Sequence, residues 1–327
     1  MIKVLFIIQD GKLPSSRIRV LNLLPEIHKY GIETDVVQYP KKYRDKVSLI
    51  MKCIHYDITY LQKKLLSPVD AFLLRKRARK LIFDFDDAIY YRQYDQKTSY
   101  SWSRYRKFKY LIKKVDIVVA GNRILADNAR WFNRNVVVVP SAVETRNIPL
   151  NEHKRAGSKT IIGWVGGEVN LPYLRILSHS VLPRLSRKHK IDFRILSSKS
   201  IEIPSVAVTF IPWSLETQER EIALFDIGVM PLPDNNYTEG KCGYKALQYM
   251  AASVPPVCSD VGVNRDIIEN GSDGFVVQSE EEFYNVLNTL IENRDLRMKM
   301  GHNARNKVEG HFSIPVIGKQ LSNILKL

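Results

Sequence analysis

The chain has 327 residues, 45% hydrophobic and 26% charged, an ordinary globular composition that excludes a disordered, collagenous or coiled-coil protein. Its length suits two domains of roughly 100–200 residues, and no run of ~18 apolar residues offers a membrane span. The net charge of +16 lies in one half: residues 1–155 carry 31 basic and 15 acidic side chains, residues 156–327 carry 19 of each. Such asymmetry implies a basic domain facing an anionic partner.

In chain order, Val4–Ile8 predicts a buried first strand, too short for a secretory leader. Apolar residues at helical spacing predict a helix over Arg17–Tyr30, kinked at Pro25, and Thr34–Gln38 the next strand. The rhythm continues with strands at Asp57–Leu61, Leu81–Phe85, Ile117–Ala120 and Val136–Val139 and a helix at Ala71–Lys80. The last two strands are apolar throughout, as expected when both faces are covered. A polar stretch, Glu144–Lys159, reads as the linker. A second α/β series follows, with strands at Thr160–Val165, Phe193–Leu196, Val206–Ile211, Ile227–Met230, Pro256–Cys258 and Gly274–Val277. A helical region over Leu171–His189 is expected to break at Pro183, and helices are expected at Lys245–Ala252, Glu280–Asn293 and Asp295–Gly310. Cys53, Cys242 and Cys258 fit neither a disulfide framework nor a zinc pattern, which points to a reducing compartment. The fold class is α/β, with two Rossmann-like sheets in tandem.

The most informative window runs from Asp226 to Val277. A strand ends at Pro231, a glycine-containing loop follows, and a helix starts near Gly243–Lys245. A glycine-led helix start offers backbone N–H groups and a positive dipole end to an anion. Lys241 and Lys245, four apart, would add two charges there, although two solvated lysines would read the same. Gly240-Lys241-Cys242-Gly243, then Gln248-Tyr249-Met250-Ala251, then Pro255, Val257, Ser259, Asp260, Gly262, Gly271 and Gly274 stand in order and spacing. This pattern resembles the donor-binding segment of retaining GT-B glycosyltransferases, family 4 (glycosyl transferases group 1). The resemblance covers about fifty residues closely and the tandem Rossmann layout more loosely.

The resemblance implies a donor site built from Glu239, Lys241, Gly243, Tyr244, Lys245 and Gln248, with Gly166, Gly167 and Asn170 after the first strand of the second series. There are departures. The family's first motif glutamate falls on Gly240, with Glu239 adjacent, and its second on Gln248, which can hydrogen-bond ribose hydroxyls without charge. Asp266 stands at the third. The family's basic pair after that first strand is replaced by Gly166-Gly167-Glu168-Val169-Asn170, so Lys241 and Lys245 are expected to neutralise the donor diphosphate.

Asp84-Phe85-Asp86-Asp87 follows a strand and admits three readings: a metal-binding D-x-D, the D-x-D of a haloacid-dehalogenase-like phosphatase, or a carboxylate in the acceptor domain. Ala88 stands where the phosphatase pattern wants Thr or Val, and the metal-binding D-x-D belongs to the GT-A type of glycosyltransferase, which would not need a second Rossmann half. The third reading is favoured, with Asp86 or Asp87 as the catalytic carboxylate and solvated, helix-capping acids as its alternative. In the loop after the first strand, Ser16, Arg17 and Arg19 are candidates for acceptor or phosphate binding, with helix capping as the alternative for Ser16. Basic runs at Lys41–Arg44, Arg75–Lys80 and Arg104–Lys114 suit an anionic membrane or nucleic acid, or are solvated helix faces.

The expectation is a GT-B protein with residues 1–150 as acceptor and membrane domain, 151–312 as donor domain, and 313–327 as a C-terminal helix returning to the first. The implied activity is retaining transfer of a sugar, hexosyltransferase-like, from a nucleotide diphosphate sugar to a lipid-linked or polysaccharide acceptor. No metal or cofactor is required, and the expected place is cytoplasmic, peripheral on the inner face of the membrane. The rivals are an inactive glycosyltransferase-like protein and, less favoured, a basic nucleic-acid-binding protein.

Overall fold

The structure, a computed structural model, describes residues 1–92, 100–151 and 159–327. Its chain divides into two compact units. Unit 1 comprises Met1–Ala142, Asn235–Cys242 and Phe312–Leu327, and unit 2 comprises Val143–Asp234 and Gly243–His311. The first boundary thus falls at Ala142 rather than at residue 150, and eight residues expected in the donor half group with unit 1. Counted from the sequence, unit 1 carries 31 basic and 14 acidic side chains, and unit 2 carries 19 and 20.

Unit 1 contains strands β1 (Ile2–Ile8), β2 (Ile32–Gln38), β3 (Ile58–Gln62), β4 (Lys80–Phe85), β5 (Ile117–Ala120) and β6 (Val136–Val138). They form one parallel sheet in the order β2-β1-β3-β4-β5-β6. Side chains alternate across a strand, so each run serves two cores. Leu5, Ile7, Leu81 and Phe83 pack with apolar residues of helices Tyr43–Lys52, Pro68–Arg77, Trp102–Ile112 and Arg123–Arg130. Val4, Phe6 and Ile82 pack with helices Leu24–Lys29 and Ile314–Lys326. Each fully buried Leu, Ile or Phe contributes about 1.5–3 kcal/mol.

The helix expected over Arg17–Tyr30 is broken into Pro14–Arg19, a 3₁₀ turn at Leu21–Leu23, and Leu24–Lys29. Pro25 sits in the first turn of the last piece, where no N–H is needed, so it starts a helix instead of kinking one. The run Arg104–Lys114 lies largely on an amphipathic helix whose cap, Ser101, accepts a hydrogen bond from the Arg104 N–H. Phe108 and Leu111 are buried, with Phe108 edge-on to Phe85 at 5.3 Å between centroids. Those apolar residues face the core and do not mingle with the outward cations.

Unit 2 contains β7 (Thr160–Val165), β8 (Ile191–Ser197), β9 (Val208–Pro212), β10 (Ile227–Met230), β11 (Pro256–Ser259) and β12 (Phe275–Val277). Their parallel order, β12-β11-β10-β7-β8-β9, reverses between β7 and β10. The region Leu171–His189 forms part of a 3₁₀ turn, Glu168–Leu174, and helices Arg175–Ser178 and Val181–Lys188. The break falls at Ser180, and Pro183 is tolerated in the first turn of the last helix. Tyr249, on helix Tyr244–Ala251, ties β7 to β10: its hydroxyl accepts from Val165 N at 3.1 Å and donates to Val229 O at 3.1 Å. Gly228 makes room for that ring, since a Cβ there would lie 2.4 Å from it.

Candidate functional site

In unit 2, β7 runs into Gly166 at the point where strand order reverses, the place where open α/β sheets take ligands. A Cβ on Gly166 would come within 2.6 Å of the Trp164 ring and 3.0 Å of Lys245 Cε. Glycine therefore lets the lysine lie beside the turn, its Nζ 5.2 Å from the Trp164 ring centroid. Gly167 is exposed, with nothing within 4 Å of where a Cβ would stand, so its backbone is open to approach. Asn170 is half-buried in the following 3₁₀ turn, and its N–H donates to Gly167 O at 2.9 Å.

Helix Tyr244–Ala251 begins after Gly243, whose φ of +63° is the left-handed conformation that glycine adopts readily. The cap position is Gly243, which has no side chain, and Tyr244 and Lys245 open a helix whose dipole is positive there. Gly166, Gly167, Gly243, Tyr244 and Lys245 thus belong to one end of unit 2. Gln248 is engaged differently: its Nε2 donates to Gln218 Oε1 at 3.4 Å.

Glu239 and Lys241 lie in the segment Asn235–Cys242, which groups with unit 1. Glu239 is exposed in the 3₁₀ turn Thr238–Gly240, and Lys241 follows in extended conformation with Nζ 5.1 Å from the Tyr237 ring centroid. Lys241 thus groups with unit 1 and Lys245 with unit 2. The segment Asn235–Cys242 is pinned to unit 1. Asn122 Nδ2 donates to Gly240 O at 3.1 Å and Lys241 O at 3.3 Å, and the Cys242 thiol donates to Asp86 O at 3.1 Å. Gly121 and Gly240 permit the close approach: a Cβ on the first would lie 2.5 Å from Cys242 Sγ, on the second 2.6 Å from Ala88 Cβ.

The four-residue acidic cluster separates into two sites. Asp84, fully buried, is bound by the guanidinium of Arg19, whose Nη1 also donates to Val139 O at 2.6 Å. Burial pushes the Asp84 carboxyl up and Arg19 pulls it down, with a net rise. Arg19 is only 3% exposed and neutralises a buried carboxylate, a different setting from the open loop expected of an anion ligand. Ser16 is also buried: its hydroxyl donates to Gln62 Oε1 at 3.2 Å, and Leu13, not Ser16, occupies the cap. Arg17 is half-buried, with Nη1 donating to Lys12 O at 2.8 Å.

Asp86 and Asp87 lie past the end of β4 and share the ammonium of Lys63, which is 2.8 Å from Asp86 Oδ1 and also bonded to Asp87 Oδ2. Asp84 and Asp86 thus have separate cations and do not converge as a metal-binding D-x-D would. Lys63 went unnoticed in the sequence. It is non-glycine with φ +59°, a strained conformation held by its N–H donating to Asp84 O at 2.7 Å and its carbonyl accepting from Gln9 at 3.2 Å. Burial lowers its pKa, Asp86 and Asp87 raise it, and the net is a rise, so the ammonium stays charged.

Residues 159–293 match the family described as "Glycosyl transferases group 1". The chain is 24% identical over 183 residues to the capsular polysaccharide biosynthesis glycosyltransferase CapM of Staphylococcus aureus, a match covering 53% of this chain and 47% of that one. It is 23% identical over 198 residues to glucosyltransferase 3 of Streptococcus parasanguinis, covering 59% and 56%. The matches therefore span about half the length of these curated relatives. Among solved structures, Anabaena HepE in complex with UDP and glucose superimposes with a TM-score of 0.75 at 14% identity, all of both chains covered. That likeness shows the fold, the pairing of two Rossmann-like units known as GT-B.

Proposed function

We propose that the chain is a glycosyltransferase that moves a sugar from a nucleoside diphosphate sugar to an acceptor hydroxyl, in the synthesis of a cell-surface polysaccharide or glycolipid. The observation that carries this is the match of residues 159–293 to the glycosyl transferases group 1 family, over the unit whose strand ends hold Gly166, Gly167 and Lys245. The donor diphosphate sits against the open backbone of Gly166–Gly167 and the start of helix Tyr244–Ala251. Lys245 and the helix dipole offset the charge that grows on the leaving diphosphate, so a metal is not needed. Asp86 or Asp87, each paired with Lys63, orients the acceptor or takes its proton. The sugar keeps its anomeric configuration, as the family resemblance implies. HepE was solved with UDP and glucose, which supports trying uridine donors first, and the name of CapM supports a capsule-type product. No helix among the described residues is long and apolar enough to cross a membrane. We place the protein in the cytoplasm, at the inner face of a membrane, on the strength of the basic unit 1.

An inactive glycosyltransferase-like protein is the second reading, favoured by the neutral Gln248 and its bond to Gln218. A thermal-shift panel of UDP-, GDP-, ADP- and CMP-sugars tests donor binding, because a ligand of the folded state raises Tm. NMR of the donor then follows turnover, and with an acceptor it reports the product anomer. A rise in Tm with hydrolysis or transfer supports the enzyme, a rise without turnover supports the inactive form, and no rise with any sugar nucleotide defeats both.

A further inference from the structure

We propose that unit 1 holds a site for a phosphate or diphosphate ester, in a cavity of about 510 Å³ at the carboxyl ends of β1 and β3. The unit 1 sheet reverses its order between these two strands, so the cavity lies at the topological switch point of its own sheet. It is lined by five cations, Lys63, Lys64, Arg92, Arg104 and Lys107. Lys63 is shared by Asp87, the one carboxylate in the lining, and by Asp86 behind it. That leaves an excess of three positive charges around one cavity. Among the described residues no carboxylate lies in ion-pair contact with Lys64, Arg104 or Lys107.

The placement of these charges is fixed by the fold. Lys64 follows the left-handed Lys63, and its N–H donates to Gln62 O at 2.8 Å. Arg104 and Lys107 are three apart on helix Trp102–Ile112, hence on the same side of it, and Arg104 Nη1 donates to Ile89 O at 3.4 Å. Like charges gathered in a concave, partly apolar wall repel one another and focus a positive potential, which an anion relieves. A single carboxylate would leave most of that excess in place, whereas a diphosphate ester carries several negative charges. Guanidinium and ammonium groups are the side chains that suit its oxygens. Leu65, Ile89, Tyr91 and Tyr237 complete the wall, giving an organic ester apolar surface to lie on.

The assignment of the ester as the acceptor rests on the glycosyltransferase reading, but the anion site does not. Calorimetry on the full chain, with UDP saturating any nucleotide site, measures binding of inorganic pyrophosphate and of farnesyl diphosphate. The expected result is binding of at least one of them in the presence of UDP. That binding is weakened at least about tenfold in Lys64→Gln/Arg104→Gln/Lys107→Gln, about 1.4 kcal/mol or more, with UDP affinity unchanged. The single variant Lys107→Gln, with the same loss in direction, guards against a folding defect in the triple variant. Tighter binding of the prenyl ester assigns a lipid-linked source, and equal binding a soluble one. Absence of binding in the wild type, or equal binding in wild type and both variants, overturns the proposal. If UDP fails to bind while pyrophosphate binding depends on these three side chains, the anion site stands and the donor reading falls.

Discussion

At the scale of single residues, Lys63 and Lys245 are central to the two proposed sites. Lys245→Ala should lower affinity for UDP by roughly tenfold or more, since one charge-assisted contact contributes about 1.5–3 kcal/mol. Calorimetry checks this, and unchanged affinity would remove Lys245 from the donor site. Asp87→Asn should cut turnover while leaving UDP affinity unchanged, because Asp87 belongs to unit 1. Full activity in both Asp86→Asn and Asp87→Asn would reduce the cluster to a structural role. The pH behaviour of Lys63 follows from its raised pKa. Its contribution to stability is complete below the ordinary lysine value of about 10.4 and is lost only as pH rises past that value toward the folded one. Urea midpoints of the wild type should therefore show no Lys63-dependent change between about pH 6 and 9. Lys63→Met should cost about 2–3 kcal/mol, read from urea midpoints, by leaving two carboxylates without their cation. An unchanged midpoint would contradict the pairing. Burial raises the thiol pKa of Cys53, Cys242 and Cys258 alike, so iodoacetamide at neutral pH should label the native chain slowly and the guanidinium-unfolded chain at all three.

At the scale of elements, helix Tyr244–Ala251 braces the sheet beneath it and opens the proposed donor site. Tyr249→Phe removes the hydroxyl shared by Val165 N and Val229 O and should destabilise unit 2 by about 1–3 kcal/mol. Gly228→Ala should cost more than Tyr249→Phe, because the added methyl meets the Tyr249 ring at 2.4 Å. Urea denaturation of both variants checks the order. Every strand of both sheets was legible in the sequence, the central ones because a strand buried on two faces is written as a continuous apolar run such as Ile117–Ala120. Helices were legible where one face is apolar, as at Glu280–Glu292, and illegible at Trp102–Ile112, whose cations hid its apolar seam. The positions of Gly166, Gly167, Gly243 and Lys245 at a strand end and a helix start were legible because glycine there has a local physical cause. The burial of Arg19 on Asp84 could not, since the partners are 65 residues apart and nothing local records the contact. The same holds for Lys63, whose role depends on a backbone conformation that its neighbours give no sign of.

At the scale of the whole molecule, the charge separates by unit: +17 on unit 1 and −1 on unit 2 from the sequence. Three helices on one face of the unit 1 sheet carry much of it and leave apolar side chains outward. Tyr43 is 70% exposed, Val69 65% and Trp102 63%, with Arg106 stacked 4.7 Å over the Trp102 ring and Lys76 beside Phe72. Cations with interspersed exposed aromatics match an anionic bilayer surface, which contributes about 1 kcal/mol per basic residue held near it. The protein should therefore co-sediment with phosphatidylcholine vesicles containing about 30% phosphatidylglycerol and be released as salt rises and the screening length falls below about 8 Å. Trp102→Ala/Arg106→Gln/Lys109→Gln/Lys76→Gln should lower vesicle binding at least about tenfold, through loss of three charges and one aromatic anchor. UDP affinity in this variant should be unchanged, because all four positions lie in unit 1. Nucleic acid is the competing polyanion and shares the salt dependence. A contest between the vesicles and duplex or single-stranded oligonucleotides separates the two. Displacement of bound protein from vesicles by oligonucleotide at low concentration, or oligonucleotide binding with no vesicle binding, would assign the basic surface to nucleic acid and remove the membrane from the function.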